Sequence, residues 1–317
     1  MSLARFTARR LLAGIPLLLG VTFVSFLLMV HFGPDRTYEL LGKNPTPEQI
    51  ASVRAELGYD RPFLLRYADY LRELATLDLG HSDATGEPVA ALIARTLPVT
   101  LALVLPGFVL GNLLGVLLGL WASARRGRWV DRVIMGASVA GMSLSFLVII
   151  IALQVLLCTP HGLNWFPARG WDMGSLPAYL EHVTVPTLAL VLITLGYNTR
   201  FYRAVLVEEW GRDHVLAARA FGASPAELTF GHVLRNALVP ILTRAVFSIP
   251  VVVISGSLLL ESFFGIPGVG RAAYDAIGGG DQPVLKAVVG LAAVAFVLLQ
   301  LVTDVINRAT DPRVAGP

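Results

Sequence analysis

Charge is what this sequence has least of. Asp, Glu, Lys and Arg make up 15% of its 317 residues and 55% of the chain is hydrophobic, whereas ordinary soluble domains carry about 25% charged residues. The few charges are clustered, leaving long stretches with none, so the composition excludes a soluble globular class and points to a polytopic α-helical membrane protein. Cysteine occurs once, at Cys158, which excludes an internal disulfide and any multi-cysteine metal site. That residue reads as a small apolar filler near the end of a span. Lysine occurs twice, at Lys43 and Lys286. Neither sits in the Gly-x-x-x-x-Gly-Lys-[Ser/Thr] loop that cradles phosphates, so the chain has no recognisable means of using ATP. The six histidines form no His-x-x-x-His or His-Glu-x-x-His pair, and no serine lies in a Gly-x-Ser-x-Gly elbow. No catalytic or metal-ligating residue is assigned.

What is present is a series of apolar runs. Six spans are expected near residues 9–31, 98–123, 131–158, 184–206, 240–260 and 284–306. The first follows Arg5, Arg9 and Arg10 and could pass for a signal peptide. Leu11 to Val30 is long enough to cross a bilayer, however, and no small-x-small cleavage pattern follows, so it reads as a retained span. Six spans place both termini on one side. If that side is the cytoplasm, the inner segments hold 15 of the 25 basic and 7 of the 22 acidic residues, a net of +8, and the outer segments carry −5. This asymmetry obeys the positive-inside rule, with the short Arg125–Arg128 hairpin as its firmest support. The spans carry almost no charge at mid-membrane, so no proton relay or ion-coupling site is visible.

Between the first and second spans, residues 32–97 form the longest polar segment and are expected to be an ordered outer-face insertion. After a turn at Gly33–Pro34, Thr46 as N-cap and Pro47 at the first position open a helix to Leu57. A second helical pattern runs from Pro62 to Leu77, with Leu64, Tyr67, Leu71 and Leu74 at helical spacing. That is too ordered for a linker, and a structural cap over the helix ends is one role for it. The second span holds Gly107, Gly111, Gly115 and Gly119 on one face, and the third holds Ala137, Gly141 and Ser145; both faces suit close helix packing. Trp165, Phe166, Trp171 and Tyr179, between the third and fourth spans, suit an aromatic belt.

The stretch Asp213–Pro240 reads as two short helices meeting at a tight turn. Ala217, Ala218, Ala220 and Phe221 end at Gly222, a left-handed stop. Ser224 as N-cap, Pro225 at the first position and Glu227 closing a capping box start the second helix. An ordered knuckle between membrane spans is a docking surface. After it, Pro250 permits a kink in the fifth span. Beyond the span come Glu261, Phe263, Pro267, Gly268, Gly270 and Arg271, a tight turn leading to a short re-entrant or interfacial helix from about Gly270 to Ile277. Glu261 is the best candidate for a pathway carboxylate, since ionisable groups at membrane depth are costly; an exposed interface residue or a partner for Arg271 is the other reading.

Asp213 ahead of Ala217-Ala218-Arg219-Ala220-x-Gly222, with His232-x-x-Arg235-Asn236-Ala237-x-x-Pro240 behind, resembles the ATPase-docking loop of bacterial ABC importer permeases in the dipeptide, oligopeptide and nickel branch. Leu216 stands where the general pattern has Glu, and Arg235 where it has Pro; both are usual in that branch. The Leu57–Pro62, Leu77–Ser82 and Glu261–Arg271 segments are similar to the same branch, so the resemblance runs from Arg9 to about Arg308. It implies an all-α permease domain over 1–317: six transmembrane helices, an extracytoplasmic insertion at 32–97, with contact to an outer binding protein or gating of the outer mouth as the alternative to a structural cap, and a cytoplasmic ATPase-docking loop at 207–239. It also implies a second homologous permease subunit, two ATP-binding subunits and an outer solute-binding protein as partners in a bacterial inner membrane, with both termini cytoplasmic. ATP and Mg would be used by the partners, with no cofactor bound by this chain. Asp213, Ala217, Ala218, Arg219, Gly222, Ser224, Pro225 and Asn236 would dock the ATPase. Arg219 would pair with an acidic group there, and Asn236 would tie the second helix back to the bundle. Glu261, Phe263, Pro267, Gly268 and Pro250 would belong to the pathway or its gate. The implied cargo is di- or oligopeptides, with nickel chelates, glutathione or another small solute left open. A membrane-anchored DNA-binding or signalling protein using the turn at Gly222 is disfavoured, because few basic residues lie there and no third soluble helix supports it.

Overall fold

The computed structural model describes residues 3–33, 37, 41, 45–56 and 58–310; the side chains of residues 3–4, 56, 250–251, 254–255 and 306–310 also lie outside the description. Pro34, Lys43 and Leu57, named above, therefore fall outside it. In chain order the α-helices are α1 (Leu3–Phe32), α2 (Pro47–Glu56), α3 (Phe63–Thr76), α4 (Val89–Ala124), α5 (Trp129–Met142), α6 (Phe146–Cys158), α7 (Leu176–Trp210), α8 (Asp213–Ala220), α9 (Arg235–Val251), α10 (Ser257–Phe264), α11 (Val269–Gly279) and α12 (Gln282–Thr310). Two π-wound segments, Glu227–Leu234 and Val252–Gly256, flank α9. Among the described residues there is no strand.

Among the described residues four helices, α1, α4, α7 and α12, are long and apolar enough to cross a membrane. The expected third span is not one straight helix: α5 and α6 meet at 97°. The break is local chemistry that hydropathy does not register. The Ser143 hydroxyl and amide both turn back onto the Val139 carbonyl, at 3.0 and 3.2 Å, and Ser145 is extended before α6 begins. Hydroxyls that satisfy a preceding carbonyl bend or end helices in this way. The expected fifth span is continuous but not uniform, since α9 passes through the π-wound Val252–Gly256 into α10.

The chain divides into two compact units, one built mainly on Pro98–Arg271 and the other on Ser2–Leu97 with Ala272–Leu298. In the first, the glycine stripe of α4 is a seam against α7. A Cβ on Gly107 would meet Leu190 at 2.8 Å, on Gly115 Asn198 at 2.9 Å, and on Gly119 the Arg203 backbone at 3.1 Å. Small residues let the two backbones approach and gain dispersion contact that lipid cannot replace. Asn112 lies in the same seam, and its Oδ1 accepts from Tyr202 Oη at 2.5 Å and from Asn198 Nδ2 at 3.3 Å. At the foot of the seam Arg203 donates to Asp131 through Nε at 2.5 Å and Nη2 at 2.6 Å, tying α7 to α5. The other small-residue face differs from expectation. Ala137 and Ser145 are exposed and a Cβ on Gly141 would meet nothing, whereas α5 packs on α7 through Ser138 and Met142 beside Gly196. Of the belt aromatics, Phe166, Trp171 and Tyr179 pack against the core, with Trp171 edge-on to Tyr179 at 5.7 Å; Trp165 is exposed.

The second unit contains α2 and α3, which lie within the stretch read as an insertion at 32–97, together with α1 and most of α12. Thr46 and Gln49 cap α2 reciprocally, with the Thr46 amide donating to Gln49 Oε1 at 2.9 Å and the Gln49 amide to Thr46 Oγ1 at 3.3 Å. Helix α3 lies against α1 through Phe23, Phe26, Phe63, Tyr67 and Tyr70. Tyr67 donates to the Leu19 carbonyl at 2.9 Å and Tyr70 to the Lys286 carbonyl at 3.0 Å. Burial pushes the Tyr70 hydroxyl up to about 12, so it remains a donor. Buried Asp281 starts α12 and accepts from Ser82 Oγ at 2.5 Å and from the amides of Asp83 and Ala84.

Candidate functional site

Two constellations contain the expected site residues, an exposed knuckle after α7 and a buried clasp after α10. The knuckle begins where α8 stops. The Gly222 amide donates to the Arg219 carbonyl and the Ala223 amide to the Ala218 carbonyl, both at 3.1 Å, with Gly222 at φ +86°. This is a Schellman stop, and its left-handed residue costs a side-chain-bearing residue about 1–2 kcal/mol. The chain then turns through Ser224, whose Oγ accepts from the Glu227 amide at 3.2 Å, and through Pro225, whose carbonyl accepts from Thr229 Oγ1 at 2.8 Å. The second limb is not the separate short helix read from the sequence. It is π-wound from Glu227 to Leu234 and runs on into α9, because nothing between Leu234 and Pro240 breaks it. It is thus no free-standing recognition helix.

The knuckle is rigidly seated. Val215, Leu228, Val233, Ala237 and Ile241 are buried against Leu120 of α4 and Tyr202 and Leu206 of α7. Its opposite face is bare: Asp213, Leu216, Ala217, Arg219, Ala220 and Gly222 are exposed, Ala218 is half-buried, and Phe221 at the tip is 92% exposed. The alanines leave the backbone accessible, and a Cβ on Gly222 would meet nothing within the chain. Phe221 is the residue whose exposure sequence reasoning missed, having counted it only as the end of a helix. One expected contact differs. Asn236 Nδ2 reaches His214 Nε2 at 3.0 Å and the His232 carbonyl at 2.8 Å, so it ties the second limb to α8 rather than to the bundle. The Arg219 guanidinium stands 5.8 Å from the Trp210 ring centroid, a cation–π contact inside the chain. Buried Glu209 braces the base of the knuckle through Arg212 Nε at 2.9 Å.

The clasp surrounds Glu261, which is 0% exposed in α10. Its Oε1 accepts from Thr100 Oγ1 at 2.7 Å and its Oε2 from the Arg271 amide at 2.8 Å. Thr100 in turn accepts from the Val269 amide at 2.9 Å. A carboxylate and a hydroxyl thus satisfy the orphan amides at the start of α11, where the helix dipole also favours negative charge. Gly265 ends α10 at φ +67°. Gly268 and Gly270 leave room: a Cβ on Gly268 would overlap the Glu261 carboxylate, and one on Gly270 would lie 2.6 Å from the Leu258 amide. The Arg271 side chain donates to the Gly265 carbonyl at 2.8 Å. The Phe263 carbonyl accepts from Gln154 Nε2 and Arg169 Nε, both at 3.4 Å, and Pro267 is exposed. Pro250 is helical in α9, with its side chain outside the described residues. Thr100 is the member that sequence could not supply, since it lies 161 residues from its partner.

Neither constellation has the make-up of a catalytic centre, and no group of three or more metal-ligating side chains is found among the described residues. Both are surfaces and joints. Comparison with known proteins gives the same direction. Residues 111–316 match the family model described as binding-protein-dependent transport system inner membrane component, and residues 3–104 match its N-terminal companion. The chain is 34% identical over 299 residues to a dipeptide transport system permease protein of Lactococcus lactis, covering 94% of each chain. It is 32% identical to a di/tripeptide transport system permease protein of Pseudomonas aeruginosa, covering 98% of each. It is 28% identical to a dipeptide transport system permease protein of Alkalihalophilus pseudofirmus, again covering 98% of each. With an all-helical architecture, at least four helices fit to cross a membrane, and a family match over most of its length, this chain belongs to the inner membrane components of binding-protein-dependent transport systems, as a non-catalytic permease subunit.

Proposed function

We propose that this chain forms half of the translocation pathway of an ATP-driven importer of di- and oligopeptides, and that the knuckle at Asp213–Asn236 receives an ATP-binding subunit. The relatives' names favour peptides over nickel chelates or glutathione. The observation that carries the docking role is Phe221, a large aromatic 92% exposed at the tip of a segment whose other face is locked into the bundle. An apolar residue held out by a rigid mount suits a partner's pocket. In this reading α5 with α6 makes one bent span and α9 continues through its π-wound segment into α10 as a further span, giving six in all, with both termini cytoplasmic in agreement with the arginine distribution. A second homologous permease completes the pathway, two ATP-binding subunits consume ATP and Mg, and an outer binding protein delivers the peptide.

The physical route for force is the cluster beneath the knuckle. Displacement of α8 moves Val215 and Leu228, which cannot slide independently of Leu120, Tyr202 and Leu206 in a close-packed interior. The load therefore enters α4 and α7 together, along their glycine seam. The clasp at Glu261 fixes where α11 begins, which assigns Glu261, Gly268 and Gly270 to holding a gate element rather than lining a path. The test is reconstitution of the assembled transporter in liposomes with its binding protein. Gly222→Glu should abolish peptide-stimulated ATP hydrolysis and uptake. Unchanged hydrolysis and uptake would refute the docking role.

A further inference from the structure

The hairpin between α4 and α5 carries Arg125, Arg126 and Arg128, and Arg132 follows in the first turn of α5; all four are exposed. The one acidic residue between Trp121 and Met142 is Asp131. Its bonds go elsewhere: buried, it takes both Arg203 bonds and accepts from the Gly127 amide at 2.9 Å. Among the described residues none of the four hairpin arginines forms an ion pair. Four exposed guanidiniums without an ion-pair contact thus sit within eight residues, while the neighbouring carboxylate, within the field of Arg126, is bonded to Arg203 and the Gly127 amide.

What lies beside the hairpin decides the partner. Leu110, Leu113, Leu117 and Trp121 are exposed at spacings of three and four, one face of α4 that ends a turn before Arg125. The Arg125 guanidinium stands 5.6 Å from the Trp121 ring centroid, and Trp129, opening α5, is 73% exposed. An apolar stripe the length of an acyl chain, capped by two indoles and then by arginines, has the order of a phospholipid: chain, interface, phosphate. Tryptophan favours that depth, and arginine matches phosphate with a planar fork of donors.

We propose that the Arg125–Arg132 hairpin, at the end of the Leu110–Trp121 stripe, is a binding site for a phospholipid with an anionic headgroup. The site holds whichever face of the membrane the hairpin occupies, so it stands apart from the docking role of the knuckle. Bound there, the lipid bridges α4 and α5 at the level of the Asp131–Arg203 pair and stiffens the end of the glycine seam.

The experiment is native mass spectrometry of the detergent-solubilised complex titrated with diphosphatidylglycerol or with phosphatidylcholine. Wild type should retain the anionic lipid preferentially. Replacing Arg125, Arg126 and Arg128 by Gln should weaken retention by about fivefold for each arginine removed, whereas the triple Lys variant should keep most of it and Arg95→Gln should change nothing. Equal retention by the triple Gln variant overturns the proposal, as does displacement by inorganic phosphate at matched ionic strength, which would show that the chains contribute nothing. A photoreactive residue at Trp129 supplies an independent arm: label on phospholipid supports the site, and label on an ATP-binding subunit or a second permease chain refutes it.

Discussion

Thr100 and Glu261 are joined at 2.7 Å across 161 residues of sequence, and through them the start of α11 is fixed to α4 and α10. The hydroxyl donates to the carboxylate and accepts from the Val269 amide, so it uses both of its capacities at once. Thr100→Val preserves shape and removes both bonds, leaving a buried acceptor and a buried amide unpaired at a cost of about 1–3 kcal/mol each. Thermal unfolding of the detergent-solubilised chain should show a lower midpoint for Thr100→Val, with Thr100→Ser close to wild type. Equal midpoints for Val and Ser would show that the clasp contributes no stability.

The glycine seam makes a positional prediction. Gly111→Leu and Gly115→Leu should lower folded yield sharply, because Thr194 and the Asn198 and Tyr202 side chains already occupy the space a side chain would need. Overpacking of this kind costs about 1–3 kcal/mol or more. Gly136→Leu, where a Cβ would meet nothing, is the control and should be tolerated in the isolated chain. Size-exclusion profiles of the three variants decide it.

The Asp131–Arg203 pair predicts a non-additive cycle. Asp131 is nearly buried and Arg203 about a quarter exposed, so removing one partner leaves a poorly solvated charge. Asp131→Ala alone should destabilise by about 3–5 kcal/mol at most, reduced by the solvent that reaches Arg203. Adding Arg203→Leu should recover part of the loss. A double variant as damaged as the sum of the singles would mean that the two do not act as a pair.

Much of this was legible in the residues. Gly222 after an alanine run, Ser224 with Pro225 behind it, and Thr46 before Pro47 are local signals, each fixed by hydrogen bonds spanning a few residues, and the structure contains the stops and starts they predict. The glycine repeat in α4 announced a seam, though not that α7 fills it. What escaped is what depends on distance or on subtle backbone choice. The 97° break at Ser143–Ser145 hides in an apolar run without glycine or proline at the bend, and π-winding leaves no mark on hydropathy. Glu261 drew attention for its charge at membrane depth, but its meaning rests on Thr100, which no periodicity links to it. Phe221 looked like one more apolar residue until its surroundings showed it bare.

On the knuckle, buried and exposed faces should separate stability from coupling. Leu228→Ala, in the seating cluster, should destabilise the chain by about 2–5 kcal/mol. Phe221→Ser should leave the unfolding midpoint unchanged and reduce peptide-stimulated ATP hydrolysis by the assembled transporter more than tenfold, the scale of a buried aromatic anchor at an interface, about 2 kcal/mol or more. Parallel unfolding and ATPase assays on the two variants test the division.

The most direct measurement is a cross-link from the tip. Cys158 is 4% exposed, so Phe221→Cys adds an accessible thiol to a chain whose native one is buried. In the assembled, transport-competent complex, a thiol-reactive cross-linker at position 221 should join this chain to an ATP-binding subunit, with a yield that changes when ATP is added. A complex that assembles and transports while the thiol stays free, or reacts only with lipid or a second permease chain, would contradict the account.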